Sequence, residues 1–486
     1  MQTPTVTDWT AISPALVLAV WAMALLLIGL IVPRRMRSQS VATLALLGLA
    51  AAFGAVVDRW DKPVTGFGGA VVLDNLACFL SGVFILAGAL TILISYHYLR
   101  DRQIDRYEYY TLLLFSISGM ALMAGANDFV ILFIALELLS IPLYILAGFA
   151  RPDEKSEESA LKYFLLGAFA SAFLIYGIAL MYGGSGTTML TGVVEGAMGG
   201  DLSLTLAGAG LVLVGLAFKV AAVPFHMWTP DVYEGAPTPV AGFMSVGAKA
   251  AGFAALVRIF LMTLPSLSDD WAPAIATLAA LTIILGNVVA ISQKNIKRML
   301  AYSSIAHAGY ILMGLAASNQ RGMAGVLFYL LAYAFTNLGA FAVLAAMAGP
   351  EGEDLSFSPY SGLSKRKPWM AAAMALFMLS LTGIPPTGGF VGKYFLFWAT
   401  VEADLVWLAV LGVLTSVVSA FFYLRVVVAM YFDTPEKTAL GRRHAAVTAA
   451  LVATSAGTLV LGLWPQPLLD LAQNSVWPIL SRSVGF

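Results

Sequence analysis

The sequence predicts an all-α membrane protein of about fourteen transmembrane helices, and three observations carry that prediction. Of its 486 residues, 60% are hydrophobic and only 11% are charged, where a soluble domain carries about 25% charged residues. The apolar residues fall into runs of the ~17–25 residues that cross a bilayer. The basic residues between those runs collect in alternate loops, as they do in membrane proteins with cytoplasmic positive charge.

The runs lie near residues 11–32, 40–57, 73–97, 109–125, 129–150, 159–182, 205–223, 238–262, 272–292, 298–316, 322–348, 368–400, 405–432 and 445–465. Loops can be numbered by the helix they follow. Odd-numbered loops hold seventeen Lys and Arg, among them Arg34, Arg35, Arg37, Arg100, Lys294, Lys365, Lys437, Arg442 and Arg443. Even-numbered loops and the tail hold four: Arg59, Lys62, Arg321 and Arg482. One missed or invented helix would scramble this alternation, so it supports fourteen spans with both termini expected on the periplasmic side. The first ten residues carry Asp8 and no Lys or Arg, which reads as an uncleaved first helix rather than a signal peptide.

Other classes lose their support. The net charge is zero, so nothing argues for a nucleic-acid partner. Cys78 is the single cysteine; it has no internal disulfide partner, and an iron–sulfur cluster takes about four ligands.

Two spans are interrupted. Pro224 and a Thr229-Pro230-Asp231 turn follow the seventh, and Gly383-Ile-Pro-Pro-Thr-Gly-Gly389 lies within the twelfth. Proline removes a backbone donor, and freed backbone is tolerated in a bilayer only against protein or a wet cavity. Paired breaks point to a midplane site in an inverted-repeat transporter. The breaks are five helices apart, so helices 4–8 and 9–13 are expected as two inverted five-helix repeats. The expected division is 1–105 (three helices), 106–265 (first repeat), 266–434 (second, inverted repeat) and 435–486 (a C-terminal transmembrane helix).

Ionisable residues inside the runs are the candidate site. Glu137 is the only charge in residues 129–150, and a charge at mid-bilayer costs about 2.5–3.5 kcal/mol on insertion scales. Lys219 precedes the first break, Lys393 follows the second, and Lys249 sits centrally among small residues. Such groups mark ion or proton paths. Glu137 is the expected counter-ion of a lysine, Lys219 foremost, although the residues alone leave open which one it faces. Snorkelling to the interface is the alternative for Lys219 and Lys393; a static pair is the alternative for Lys249. Lys162 has two readings: a member of the proton path, or half of a surface helix pair with Glu158 four residues earlier. His226 and His307 are either proton relays or packing residues. The glycine-rich stretch 182–186 lacks the strand–turn–helix setting of a nucleotide loop and reads as a turn.

The segment 219–240, KVAAVPFHMWTPDVYEGAPTPV, closely resembles the subunit N family of bacterial proton-pumping NADH–quinone oxidoreductase, respiratory complex I. NDFVILFIALELLSIPLYIL (127–146), QKNIKRMLAYSSIAHAGY (293–310) and LSLTGIPPTGGFVGKYFLF (379–397) extend the resemblance from about helix 4 to helix 13. PFH-x-W-x-P is shared with all antiporter-like subunits, whereas DVYEGAPTPV is particular to subunit N and its close relatives. The resemblance implies the family's two inverted bundles and a proton-transfer axis. The family's helix-5 glutamate falls on Glu137, its broken-helix lysine on Lys219, its central lysine on Lys249, its terminal lysine on Lys393 and its helix-6 lysine on Lys162. It also implies that flavin mononucleotide (FMN), iron–sulfur clusters and the quinone site belong to partner subunits. No cofactor or metal is therefore expected in this chain, whose partners would be the other membrane-arm and peripheral-arm subunits and the lipid of a bacterial inner membrane. Two other readings stand beside it: a subunit of a multi-subunit cation/proton antiporter or membrane-bound hydrogenase, and a scaffold subunit that only packs. Buried charges disfavour the scaffold, since apolar residues would pack there at lower cost.

Overall fold

A computed structural model describes residues 3–34, 36–349, 353–435 and 444–483, with side chains to residue 476. Arg35, Lys437, Arg442 and Arg443 of the loop-charge pattern lie outside the described residues, as does the side chain of Arg482.

Among the described residues twelve helices are long and apolar enough to cross a membrane, and shorter apolar helices stand at the other two expected places, the fourth and the broken twelfth. The first six spans are Ser13–Ile31, Arg37–Arg59, Asn75–Asp101, Glu108–Ala124, Phe129–Ala147 and Glu154–Ser185. Span 7 is Leu202–Val220 (7a) followed by Trp228–Gly235 (7b). Spans 8 to 11 are Thr238–Thr263, Pro265–Ile291, Ile296–Ala316 and Gln320–Met347. Span 12 is Pro368–Thr382 (12a) and Gly388–Glu402 (12b), and spans 13 and 14 are Val406–Phe432 and Ala445–Leu463. A two-stranded hairpin, Val64–Gly66 with Val71–Leu73, links spans 2 and 3. The glycine-rich stretch ends span 6, with Gly186 as a left-handed cap at φ 73°.

Burial sorts these helices into a centre and a rim. Within their apolar windows spans 8, 10 and 11 are 100%, 94% and 94% buried, while spans 6 and 14 are each 28% buried. A helix that is apolar all round and buried all round is a core element; the rim helices turn large apolar faces such as Phe169, Val417 and Phe421 outward. Spans 6 and 7a approach closely because both carry glycine. A Cβ on Gly177 would lie 2.7 Å from the Gly208 carbonyl oxygen, the small-residue packing of membrane helices.

The tail after span 14 adds a further helix. Trp464 ends the span, and Gln466–Ser483 forms a separate helix packed on spans 11 and 3. Pro465 lies at the junction, and proline favours the start of a helix while barring its continuation. Span 6 also runs several residues beyond the expected 159–182 at both ends.

Candidate functional site

The two breaks set the first and last lysines of a buried row. Span 7a ends at Ala221, which adopts a left-handed φ of 62°. The backbone freed by this break is taken up by protein groups: the Val223 N–H donates to Thr282 Oγ1 (2.9 Å), and the Phe218 carbonyl accepts from Trp228 Nε1 (3.0 Å). Lys219, one turn before the break, is 3% exposed. Its ammonium donates to Ser140 Oγ at 2.7 Å and to the Tyr163 hydroxyl at 3.4 Å, over the faces of Tyr163 and Tyr144.

Glu137 lies one turn from Ser140 on span 5 and is only partly buried. Its Oε1 accepts from Ser171 Oγ of span 6 at 2.8 Å. Glu137 is therefore within electrostatic reach of Lys219, yet the direct pair expected from the sequence is replaced by two serine contacts.

Lys249 lies at the end of a wide-turn (π) segment, Met244–Ala248, in the wholly buried span 8. Such π segments recur at functional sites. Its ammonium donates to the Ser304 carbonyl at 2.6 Å. Gly252, one turn on, packs against the Lys219 stem, where a Cβ would come 3.5 Å from Lys219 Cγ and 2.7 Å from Val220 Cγ1. That close approach brings the two lysine-bearing helices together.

At the second break, Gly383 takes φ 91° and Thr387 Oγ1 accepts from the Phe390 N–H at 3.4 Å. Lys393 on 12b donates to the Leu381 and Thr382 carbonyls (2.9 and 3.0 Å), which the break has freed, and to Ser416 Oγ (2.8 Å). Its ammonium stands 4.6 Å from the Tyr310 ring centre. Exposed carbonyls thus hold the amine at this break, whereas side-chain hydroxyls hold it at the first.

Span 10 joins the central and terminal lysines. Ser304, His307 and Tyr310 recur every three residues along it. Ser304 meets Lys249, Tyr310 meets Lys393, and His307 lies within electrostatic reach of both. His307 Nδ1 is 2.5 Å from the Tyr329 hydroxyl and Nε2 is 3.0 Å from that of Tyr423. His226 follows the first break, half-buried and within reach of Lys249, and its Nδ1 has no partner among the described residues.

Lys162 is not on this row. It pairs with Glu158 (2.6 Å) and Asp231 (2.7 Å), with 39% of its side chain exposed. Asp231 also holds Arg298 (2.7 Å), which bonds Glu234 (3.0 Å), which in turn meets Lys155 (3.3 Å). The acidic residues of the DVYE motif therefore anchor 7b to the basic ends of spans 6 and 10. Sequence reasoning missed the hydroxyl partners Ser140, Tyr163, Ser171 and Ser416, the Ser304 carbonyl and the Tyr310 ring. The available signal was a Ser or Tyr three residues from Glu137 or His307 in an apolar run.

Apolar helices at all fourteen expected places among the described residues, two of them broken, and a buried lysine row define an antiporter-like membrane subunit. The family described as NADH:quinone oxidoreductase/Mrp antiporter, transmembrane, matches residues 126–419. NADH-quinone oxidoreductase subunit N of Trichlorobacter lovleyi is 47% identical over 470 residues, 96% of each chain. That of Chloroflexus aggregans is 46% identical over 475 residues, 96% of this chain and 97% of its own. Among solved structures, a chain of respiratory complex I from Thermus thermophilus is 38% identical with a TM-score of 0.82, covering 95% of this chain and 99% of its own. A chain of the Mrp complex from a Dietzia species shares the fold at a TM-score of 0.85, 23% identity and coverage of 97% and 98%. The chain belongs to the subunit N family of NADH-quinone oxidoreductases.

Proposed function

We propose that this chain is a proton-translocating membrane-arm subunit of NADH-quinone oxidoreductase. It has no redox centre of its own; electrons pass from NADH through FMN and iron–sulfur clusters in partner subunits to quinone. Its neighbours are other antiporter-like and peripheral-arm subunits, its membrane is the bacterial inner membrane, and both termini are periplasmic. The carrying observation is the face of span 10, where Ser304, His307 and Tyr310 connect Lys249 to Lys393. Lys249 rests on the Ser304 carbonyl and Lys393 beside the Tyr310 ring, and the proton passes between them through the His307 imidazole, which the Tyr329 and Tyr423 hydroxyls hold; Glu137 biases Lys219 at the other end through its charge. His226, beside the first break, is a second relay candidate, whereas Lys162 acts from outside the row through Asp231 on 7b.

The antiporter reading has weaker support, because the Mrp likeness is one of fold at 23% identity while subunit N relatives reach 46–47% over nearly the whole chain. The test is Lys249→Ala in the intact complex. The complex should assemble, and NADH-driven proton pumping and quinone reduction should fall together. Wild-type pumping per electron at a wild-type rate would refute the proposal.

A further inference from the structure

A second buried acid–base pair lies outside the lysine row, at the basic end of the molecule. Lys297, at the start of span 10, has 2% of its side chain exposed, and Glu353, in the loop before span 12, has 11%. Lys297 Nζ lies 3.5 Å from Glu353 Oε2 and donates to the Ala236 carbonyl at 2.5 Å. Thr238 Oγ1, at the start of span 8, donates to the same Oε2 at 2.8 Å. Glu353 Oε1 is buried and has no hydrogen-bond partner among the described residues. A carboxylate serving only to staple a loop would be expected to have both oxygens satisfied.

The pair stands at the head of two parallel polar ladders. Thr238, Ser245 and Lys249 follow one another on span 8 at intervals of seven and four, so they share one helix face. Lys297 and Ser304 are seven apart on span 10. The ladders share Glu353 at one end, through Thr238 and Lys297, and converge at the other, where Lys249 donates to the Ser304 carbonyl. Between the ends stand the hydroxyls of Tyr233 and Tyr333, beside Ser304 and Ser245. Tyr233 OH, Tyr333 OH and Ser304 Oγ are all buried without direct partners among the described residues. Polar groups in this relation are bridged by water. Thr238 to Lys249 is eleven residues, about 16 Å of helix.

Resting on the proton-transfer reading above, we propose that Glu353, held by Lys297 and Thr238, is the proton-loading carboxylate that supplies Lys249 along the facing surfaces of spans 8 and 10. Glu353 takes a proton from solution, forming the carboxylic acid. The proton passes through the hydroxyl ladder to the neutral Lys249 amine, forming the ammonium and restoring the carboxylate. Lys297 stays an ammonium throughout. The other ionisable groups facing Glu353 are Tyr98 of span 3 and Tyr360 of its own loop; Arg102, just after span 3, and Glu234 of 7b act on Lys297, and Asp354 acts on Tyr360.

The test uses Glu353→Gln, Glu353→Asp and Lys249→Ala in the complete complex in native membranes, with assembly measured on native gels. Glutamine keeps the size and still accepts from Thr238, so a stapling role survives it while proton loading does not. At about pH 8 the glutamine variant should lose about tenfold or more of the pumping rate, a modest share of what acid–base groups contribute. Toward about pH 6 the deficit should shrink, as abundant protons reach the ladder without the carboxylate. Aspartate should stay close to wild type. Wild-type pumping by Glu353→Gln across this range overturns the proposal, as does a deficit that does not change with pH. Failure of Glu353→Gln to assemble also overturns it, by assigning the pair to holding the loop. Should Lys249→Ala itself pump normally, the parent reading fails; impairment of that variant alone sinks only the loading site.

Discussion

Lys219 and Glu137 sit on neighbouring helices but do not bond to each other: the lysine donates to Ser140 at 2.7 Å, and the glutamate accepts from Ser171 at 2.8 Å. Two hydroxyls stand where a salt bridge was expected. A contact pair would hold the lysine proton firmly in a low-dielectric site. A separated pair leaves it under a field that small movements of span 5 or span 6 can alter. The arrangement suits a group that must gain and release a proton more than one that must stay charged.

Substituting the carboxylate tests that field. Glu137→Gln should lower proton pumping more than Glu137→Asp, with assembly intact in both. Glutamine still accepts from Ser171 but carries no charge, whereas aspartate keeps the charge and retracts it by one methylene. A loss of about 1.4 kcal/mol is one pKa unit, comparable with the ~2.3 kcal/mol needed to move a charge against 100 mV. Equal activity of the two variants would show that hydrogen bonding or packing, not charge, is what Glu137 supplies.

Ser140→Ala probes the contact from the other side. It removes the nearer of the two hydroxyls on the Lys219 ammonium and leaves Tyr163 at 3.4 Å. Hydrogen bonds to charged groups contribute about 1.5–3 kcal/mol, so pumping should fall measurably while the Glu137 charge remains. A variant with an unchanged rate would assign the holding of Lys219 to the aromatic faces.

The second break depends on a glycine. A Cβ on Gly389 would collide with the Ser380 carbonyl across the junction of 12a and 12b. Forcing in such a group costs about 1–3 kcal/mol. Gly389→Ala should therefore lower the thermal midpoint of the purified complex and displace Lys393 from the Leu381 and Thr382 carbonyls. An unchanged midpoint with full pumping would mean the junction relaxes freely.

Asp105 provides a pH test outside the spans. Burial raises its carboxyl above the usual carboxylate range, opposed by the hydrogen bond from Ser38 Oγ (2.5 Å) and by Arg100. A carboxyl raised on folding contributes stability below its unfolded value of about 3.9 and loses it as pH rises through the folded value. Asp105→Asn, which can still accept from Ser38, should melt above wild type near neutrality, with the difference vanishing toward about pH 4. A difference that persists in acid would assign the effect to something other than ionisation.

The orientation has its own check. A cysteine replacing Gln103 in a Cys78→Ala background should react with a membrane-impermeant maleimide only when the cytoplasmic face is open to the reagent. Labelling in intact cells would reverse the topology.

Much of this protein follows from its one-dimensional pattern. Span length, the proline–glycine breaks and the alternation of basic loops are local or additive properties, because a bilayer imposes nearly the same length and polarity demands on every crossing. Hence the apolar helices lie where the runs are, and Lys219, Lys249 and Lys393 are legible as misplaced charges. Partners are a different matter, since they depend on which faces of distant helices meet. Glu137 could be paired with Lys219 only by expectation; packing of spans 5, 6 and 7 decided that serines stand at both groups. Lys162 could be read two ways, and the placement of 7b against spans 6 and 10 put it with Asp231 rather than in the row. His307 was one histidine in an apolar run until spans 8 and 12 brought a lysine to either side of its helix. A buried charge costs energy wherever it lies, so the sequence can flag it; which group compensates it is set by tertiary geometry alone.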